Sequence, residues 1–223
     1  MKKNLFLEAI LKFLLGVLLV SVLIFLPAGT LRWQGGWLFM GILFLPMFCA
    51  GLVMLAKDPN LLRSRLDAKE KRKTQDTVVK LSGLMFIAGF VVAGLDFRFG
   101  WLPLPGWVSH VAAAIFLLAY ILYAEVLREN SYLSRTIEVQ EGQTVVSTGL
   151  YGIVRHPMYA VTLLLFLSMP FVLDSFLSFL CFLPYPFLIT KRIQDEEVFL
   201  EKELAGYPEY KQKVKSRLIP GIW

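Results

Sequence analysis

The sequence predicts an all-α fold, a polytopic membrane bundle of about six transmembrane helices. Three observations support this: 57% of the 223 residues are hydrophobic, 14% are aromatic, and the mean hydropathy is +0.61. A soluble domain of this length has an apolar share of roughly 45 to 50%. The apolar residues also form runs close to the roughly 20 residues that a helix needs to cross a bilayer. We therefore expect a membrane protein with one structural domain.

Six apolar runs are candidates for transmembrane helices. The first lacks a small-residue cleavage pattern, so we interpret it as a retained span and not as a signal peptide. The last two runs are short and separated only by Asp174 and Ser175, which predicts a tight helical hairpin. In chain order the predicted spans are Leu5 to Leu26, Trp37 to Ala56, Val78 to Leu95, Trp107 to Leu127, Met158 to Leu173 and Phe176 to Thr190.

The polar segments divide the chain into two regions. Residues 1–127 hold the first four spans and a charged linker at 57–77, and residues 128–223 hold a polar loop, the hairpin and the tail. Basic residues predict the orientation, because 21 of the 23 lysines and arginines fall on one side of this arrangement. By the positive-inside rule that side is cytosolic and carries both termini. The opposite interface then holds an aromatic belt of Trp33, Trp37, Trp101 and Trp107.

Prolines and glycines predict the course of the last helix. Pro184 and Pro186 should kink it, since each proline removes a backbone donor. Apolar residues at helical spacing then continue past the membrane, so we expect the helix to extend into the cytosol until Gly206 and Pro208 stop it.

Composition also excludes some classes of site. Cys49 and Cys181 both lie in apolar runs, which leaves neither a disulfide framework nor a cysteine-rich metal site. The net charge is +6, and in a membrane protein the basic residues mainly set orientation and meet anionic lipid. We expect neither a bound metal nor a nucleic-acid partner.

Polar and aromatic residues flank the predicted hairpin on both sides. Before it, His156 and Pro157 fit a helix start at the membrane boundary, where a proline costs no hydrogen bond. The neighbouring Tyr151 and Tyr159, together with glycines that loosen the backbone, favour a loop that closes around a ligand. The opening helix also presents free N–H groups to a carboxylate or phosphate.

After the hairpin, Arg192 and Glu196 stand four residues apart and share one helical face. Taken alone, they form an ordinary intrahelical ion pair worth a few tenths of a kcal/mol. The acidic run Asp195 to Glu197, however, is an unusual choice beside an anionic leaflet unless a cation or a ligand amine is held there. The two ends of the hairpin together predict a reaction site at the membrane surface.

From Gln140 onward the chain carries an ordered set of motifs. Its residues are Gly149, Leu150, Tyr151, Val154, Arg155, His156, Pro157, Met158, Tyr159, Arg192, Glu196, Glu197, Tyr207, Tyr210, Arg217, Leu218, Ile219 and Pro220. This set closely resembles the motifs of the isoprenylcysteine carboxyl methyltransferase family. The resemblance implies an integral membrane enzyme that transfers a methyl group from S-adenosylmethionine to the carboxylate of a prenylated, lipid-like cysteine substrate. The cytosolic loop, the hairpin and the C-terminal helix would enclose the cofactor.

The resemblance also implies roles for individual residues. Arg192 and Glu196 match the pair at the methyl-transfer site, where Arg192 would grip the substrate carboxylate. Val161 departs from the family pattern, which has glycine there, and should narrow the groove for the lipid. The positions that match cofactor contacts are Gln140, Gln143, Thr144, Val145, Val146, Tyr151, His156, Pro157, Met158 and Tyr159.

Two other functions stay open at this point. One is a phospholipid-headgroup amine methyltransferase, in which Glu196 would be essential because an ammonium must first lose a proton to a base. The other is a non-catalytic six-span transporter or scaffold. Against the transporter, no predicted span carries a central charge, as transport pathways usually do.

Overall fold

The computed structural model describes residues 2–66, 73–134 and 137–223, and all regular structure within these ranges is helical. An isolated antiparallel bridge joins Pro103 to Ser175. The helices are α1 (Lys2–Ala28), α2 (Gln34–Lys57), α3 (Pro59–Leu66), α4 (Lys73–Phe99), α5 (Trp107–Glu129), a 3₁₀ turn (Gly149–Gly152), α6 (Pro157–Val172), α7 (Phe176–Phe182), α8 (Tyr185–Glu203) and α9 (Tyr207–Lys213).

Five stretches among the described residues are long and apolar enough to cross a membrane. They are α1, α2, α4, α5 and the 28-residue run Phe176–Glu203 formed by α7 and α8. The prediction of an all-helical, multi-span membrane fold is therefore confirmed. The remaining predicted span corresponds to α6, which is apolar but has only 16 residues. The count of six spans stays a prediction.

The core lies where α1, α2, α4, α5, α6, α7 and α8 meet. Phe39, Phe116 and Phe182 are fully buried in it, whereas α1 exposes a row of leucines on its outer side, as a lipid-facing helix does. A Cβ added at Gly89 would lie 2.2 Å from the Phe182 ring, so the missing side chain lets α7 pack directly on α4. Small residues at such contacts are typical of helix packing in membranes. Leu218 of the tail also joins this core, which links both predicted regions.

The predicted charged linker at 57–77 is partly helical. Its first part forms α3, because Asp58 caps the helix by accepting a 3.0 Å hydrogen bond from the Leu61 N–H, and Pro59 occupies the first turn. α4 then begins at Lys73, inside the predicted linker. Residues 67–72 of the linker lie outside the described ranges.

The last predicted helix is broken and not merely kinked. α7 ends at Phe182 and α8 begins at Tyr185, since Pro184 has no N–H with which to continue the α7 ladder. α8 continues beyond Arg192 and Glu196 to Glu203 and ends before Gly206, which has a φ of 83°. Pro208, which we expected only to stop a helix, lies in the first turn of α9.

The buried carboxylate of Asp96 fixes the turn between α6 and α7, a role that no sequence pattern predicted. The Ser175 hydroxyl donates a 2.6 Å hydrogen bond to Asp96 Oδ2, and the Leu102 N–H donates to Asp96 Oδ1 over 3.1 Å. Asp174 adopts a left-handed φ of 54°, and the Ser175 N–H donates to the Pro170 carbonyl over 2.9 Å. These hydrogen bonds therefore fix the turn that connects α6 to α7.

Candidate functional site

A cavity lies where the loop at 130–146 meets the start of α6, the end of α8 and α9. It contains about 750 Å³ of empty space, including its mouth to solvent. Residues 135 and 136 of the loop lie outside the described ranges. The cavity is lined by Asn130, Tyr132, Leu133, Ser134, Ile137, Glu138, Gln143, Thr144, Val145, Val146, Tyr151, Arg155, His156, Met158, Tyr159, Glu196, Leu200, Leu204, Tyr207 and Tyr210.

Most of the site residues predicted from sequence line this cavity. The loop residues 143–146 form one wall, and Tyr151, His156, Met158 and Tyr159 form another. Glu196 faces them from α8. The structure thus brings together residues from both ends of the predicted hairpin. The predicted residues outside the lining are Gln140, Pro157 and Arg192.

None of these three residues lines the cavity, but each is hydrogen-bonded to or adjacent in sequence to a residue that does. The Gln140 side-chain amide donates a 2.8 Å hydrogen bond to the Tyr132 carbonyl, and its backbone N–H donates to Gln143 Oε1 over 2.9 Å. Gln140 therefore shapes the loop that carries the cavity wall. Pro157 begins α6, so it fixes the direction in which that helix leaves the cavity. A direct cofactor contact by either residue stays a prediction.

A tyrosine hydroxyl connects Arg192 to Glu196. Tyr159 Oη donates a 2.5 Å hydrogen bond to Glu196 Oε2 and accepts a 2.9 Å hydrogen bond from Arg192 Nε. Arg192 is only 9% exposed. Tyr159 and Glu196 line the cavity and Arg192 does not, so the tyrosine hydroxyl connects the guanidinium to the cavity wall. The sequence spacing predicted that Arg192 and Glu196 share one helical face, but it did not predict that the Tyr159 hydroxyl connects them.

Glu197 is the centre of a buried charge cluster. Its side chain is 2% exposed, and Oε1 accepts a 2.8 Å hydrogen bond from Arg155 Nε. His156 Nε2 lies 3.2 Å from the same oxygen. Arg217 approaches Oε2 through Nε at 3.1 Å and a terminal nitrogen at 3.0 Å, and Lys211 Nζ lies 3.5 Å away. The cluster is net positive before any ligand is counted, which stabilises an ionised Glu197.

The tail is tied to the segment that starts α6. The Arg155 N–H donates to the Ser216 carbonyl over 2.9 Å, and the His156 N–H donates to the Arg217 carbonyl over 3.0 Å. The Arg155 guanidinium also donates to the carbonyls of Val214 and Lys215, at 2.6 and 2.7 Å. His156 is thus held both by its backbone and by its ring.

The 3₁₀ turn holds Tyr151 against the cavity. Asn130 Nδ2 donates a 3.0 Å hydrogen bond to Tyr151 Oη, and the Tyr210 hydroxyl donates to the Tyr151 carbonyl over 2.7 Å. Burial raises the pKa of Tyr151, so its hydroxyl remains protonated at neutral pH. The turn begins at Gly149, which has a φ of 49°, and a Cβ added there would lie 1.4 Å from Glu129 Oε1. Any other residue would have to adopt a left-handed φ and displace the Glu129 side chain.

Several site residues were missed by sequence reasoning. Leu200 and Leu204 follow Glu196 at intervals of four, so helical spacing alone would have placed them on the cavity face of α8. Glu197 appeared in the acidic run and in the resemblance, but without a role. Tyr207 and Tyr210 appeared in the resemblance without roles. For these the sequence offers no comparable pattern, because their positions depend on how the tail folds back.

All the features of the site combine α8 with α6 or with the segment directly before α6. This holds for the cavity wall, for the chain from Arg192 through Tyr159 to Glu196, and for the Glu197 cluster. No individually curated protein matches the chain. The model of the Isoprenylcysteine carboxyl methyltransferase (ICMT) family matches residues 110–202, which run from α5 through the loop, α6 and α7 to the end of α8. This match over residues 110–202 supports a membrane methyltransferase of the isoprenylcysteine carboxyl methyltransferase type.

Proposed function

We propose that this protein is an S-adenosylmethionine-dependent carboxyl O-methyltransferase that acts at the cytosolic membrane face on a prenylated cysteine or a similar lipid-like acceptor. The observation that carries the proposal is the chain from Arg192 through the Tyr159 hydroxyl to Glu196, at the edge of the cavity. It links a guanidinium, which can bind a carboxylate, to the wall of a ligand cavity through one tyrosine hydroxyl. The family match supports the class of reaction, and this geometry supports the roles of the residues.

The cavity chemistry fits S-adenosylmethionine. Tyr151 and Tyr159 offer aromatic faces to a sulfonium, an interaction worth about 1 to 2 kcal/mol when desolvated. Glu196 offers a carboxylate to an ammonium or a ribose hydroxyl, and Leu200 offers apolar surface to an adenine ring. A buried hydroxyl on Tyr207 has no hydrogen-bond partner among the described residues. We expect Gln143 to Val146, Tyr151, His156, Met158 and Tyr159 to hold the cofactor.

The chain's own residues would act mainly by positioning. A carboxylate is already ionised at neutral pH, so it requires no general base. The cofactor supplies a methyl group on a sulfonium, and transfer to a carboxylate oxygen cancels both charges without moving a proton. Arg192 would orient the acceptor carboxylate, and its hydrogen bond to Tyr159 fixes the plane of the guanidinium. Correct orientation is the main contribution, since oriented intramolecular reactions reach effective molarities on the order of 10⁵ to 10⁸ M.

The membrane arrangement is part of the proposal. We infer six spans, with α6 and the α7–α8 run as a hairpin and both termini in the cytosol. The loop, the end of α8, α9 and the tail meet at one end of the bundle, where most basic residues lie. Phe187, five residues before Arg192 on α8, is 78% exposed, as a residue beside a lipid path would be. Access of an impermeant label to a tag at either terminus from outside the cell would overturn this orientation.

The acceptor can be identified by a labelling experiment. Purified protein would be incubated with methyl-labelled S-adenosylmethionine and, separately, with a farnesylated cysteine analogue or phosphatidylethanolamine. The proposal predicts label in a base-labile ester of the first acceptor. Label in the phospholipid amine would instead support the headgroup methyltransferase, for which the cavity-lining carboxylate of Glu196 would act as base. Label in neither acceptor would contradict both.

Two variants separate binding from transfer. Arg192→Ala should abolish methyl transfer while cofactor affinity survives, because Arg192 does not line the cavity. His156→Ala should weaken cofactor affinity, since its ring forms part of the wall. Full activity of Arg192→Ala, or unchanged affinity of His156→Ala by calorimetry, would refute the corresponding role.

A further inference from the structure

The buried hydroxyl of Tyr207 stands out among the cavity-lining groups. Tyr207 lies at the start of α9, beyond the 110–202 segment that the family model matches. Its side chain is 3% exposed, and its oxygen has no hydrogen-bond partner among the described residues. Tyr210, one turn later on α9, differs in this respect, since its hydroxyl donates to the Tyr151 carbonyl over 2.7 Å.

The carboxylates near Tyr207 accept hydrogen bonds from other donors. Glu197 accepts hydrogen bonds from Arg155 and Arg217, and Glu196 accepts one from Tyr159. Burial, with the two negative charges nearby, raises the pKa of Tyr207, so the hydroxyl is a donor at neutral pH. A buried donor without an acceptor costs free energy, and a phenylalanine of the same shape would avoid this cost. An acceptor atom of a ligand in the cavity would remove this cost.

The hydroxyl is also held in place. The Tyr207 and Tyr210 rings pack with centroids 5.8 Å apart, and Tyr210 is anchored to the 3₁₀ turn. At the other end of α9, the Val214 carbonyl accepts a 2.6 Å hydrogen bond from Arg155. A donor fixed before the ligand arrives loses little conformational entropy on binding.

We propose that the Tyr207 hydroxyl donates a hydrogen bond to an acceptor atom of the S-adenosyl ligand in the cavity, which makes α9 a part of the binding site. This inference rests on the proposed function, because it takes the ligand to be S-adenosylmethionine or its demethylated product. Tyr207 is then a binding residue, and the tail that carries it completes the cavity built by the family segment.

The test compares Tyr207→Phe with the matched control Tyr210→Phe on the full-length protein. Calorimetry with S-adenosylhomocysteine measures affinity, and thermal unfolding without ligand measures stability. Tyr207→Phe should weaken affinity about 3- to 10-fold, as the loss of one neutral hydrogen bond does, and leave the ligand-free Tm unchanged or slightly raised. Tyr210→Phe should lower the ligand-free Tm, because its hydroxyl has a protein acceptor.

Three outcomes would overturn the inference. If the wild-type protein binds S-adenosylhomocysteine and Tyr207→Phe binds it within twofold, the inference fails while the proposed function stands. If Tyr207→Phe lowers the ligand-free Tm as much as Tyr210→Phe, the hydroxyl has a partner within the protein. If the wild-type protein binds neither S-adenosylhomocysteine nor S-adenosylmethionine, the proposed function fails, and the inference fails with it.

Discussion

Replacing Glu197 by glutamine would test whether the buried charge cluster holds the site together. The variant keeps the shape of the side chain and removes its charge. Arg155, whose side chain is 4% exposed, then has no carboxylate partner at this position, and Arg217 loses both of its contacts to Oε2. Removing one partner of a buried ion pair costs about 3 to 5 kcal/mol.

That cost can be converted to a melting temperature. For a chain of 150 to 250 residues, each kcal/mol shifts Tm by roughly 2 to 4 °C, so Glu197→Gln should lower Tm by roughly 6 to 20 °C. Thermal unfolding of the purified protein in detergent measures the shift. Loss of the cluster should also free His156, so cofactor affinity should fall in the same variant.

Glu201→Gln is a matched control on the same helix. Glu201 is 37% exposed and forms an ion pair with Lys211, which also approaches Glu197. An exposed pair contributes about 0 to 1 kcal/mol, so this variant should lose no more than roughly 4 °C. Equal Tm values for the two variants, or a Glu197→Gln protein within about 2 °C of wild type, would refute the assignment of Glu197 as the buried anchor.

Two further substitutions test the cavity wall. Gly149→Ala places a Cβ 1.4 Å from the present position of Glu129 Oε1, at a left-handed φ. The free energy of unfolding should fall by about 1 to 3 kcal/mol. In the control Gly41→Ala no atom lies within 4 Å of the new Cβ, so this change should be neutral or stabilising. A small, equal change in both would contradict the tight turn. Tyr159→Phe removes the hydroxyl that holds Arg192, so kcat/KM should fall about 10- to 100-fold; Tm should also fall, because this hydroxyl, like that of Tyr210, has partners in the protein. Wild-type kinetics in that variant would exclude a role for the bridge.

The sequence by itself determined the class of fold and part of the cavity wall. Apolar runs have the length that a bilayer requires, so α1, α2, α4 and α5 were found close to their observed bounds. The motif residues before α6 and on α8 were found because local chemistry, such as a proline at a helix start or a pair spaced by four, marks them. These features depend on near neighbours along the chain.

Only the tertiary structure decided which of those residues line the cavity and which contact the lining residues from outside it. Glu197 looked like its neighbour Glu196 in sequence, yet one carboxylate lies in a buried cation cluster and the other lines the cavity. The difference arises because neighbours on a helix point about 100° apart, and the elements packed on each side decide their environments. For Glu197 those elements include Arg155 and Arg217, which are 42 and 20 residues away along the chain. Contacts over such separations leave no local pattern that a sequence can display.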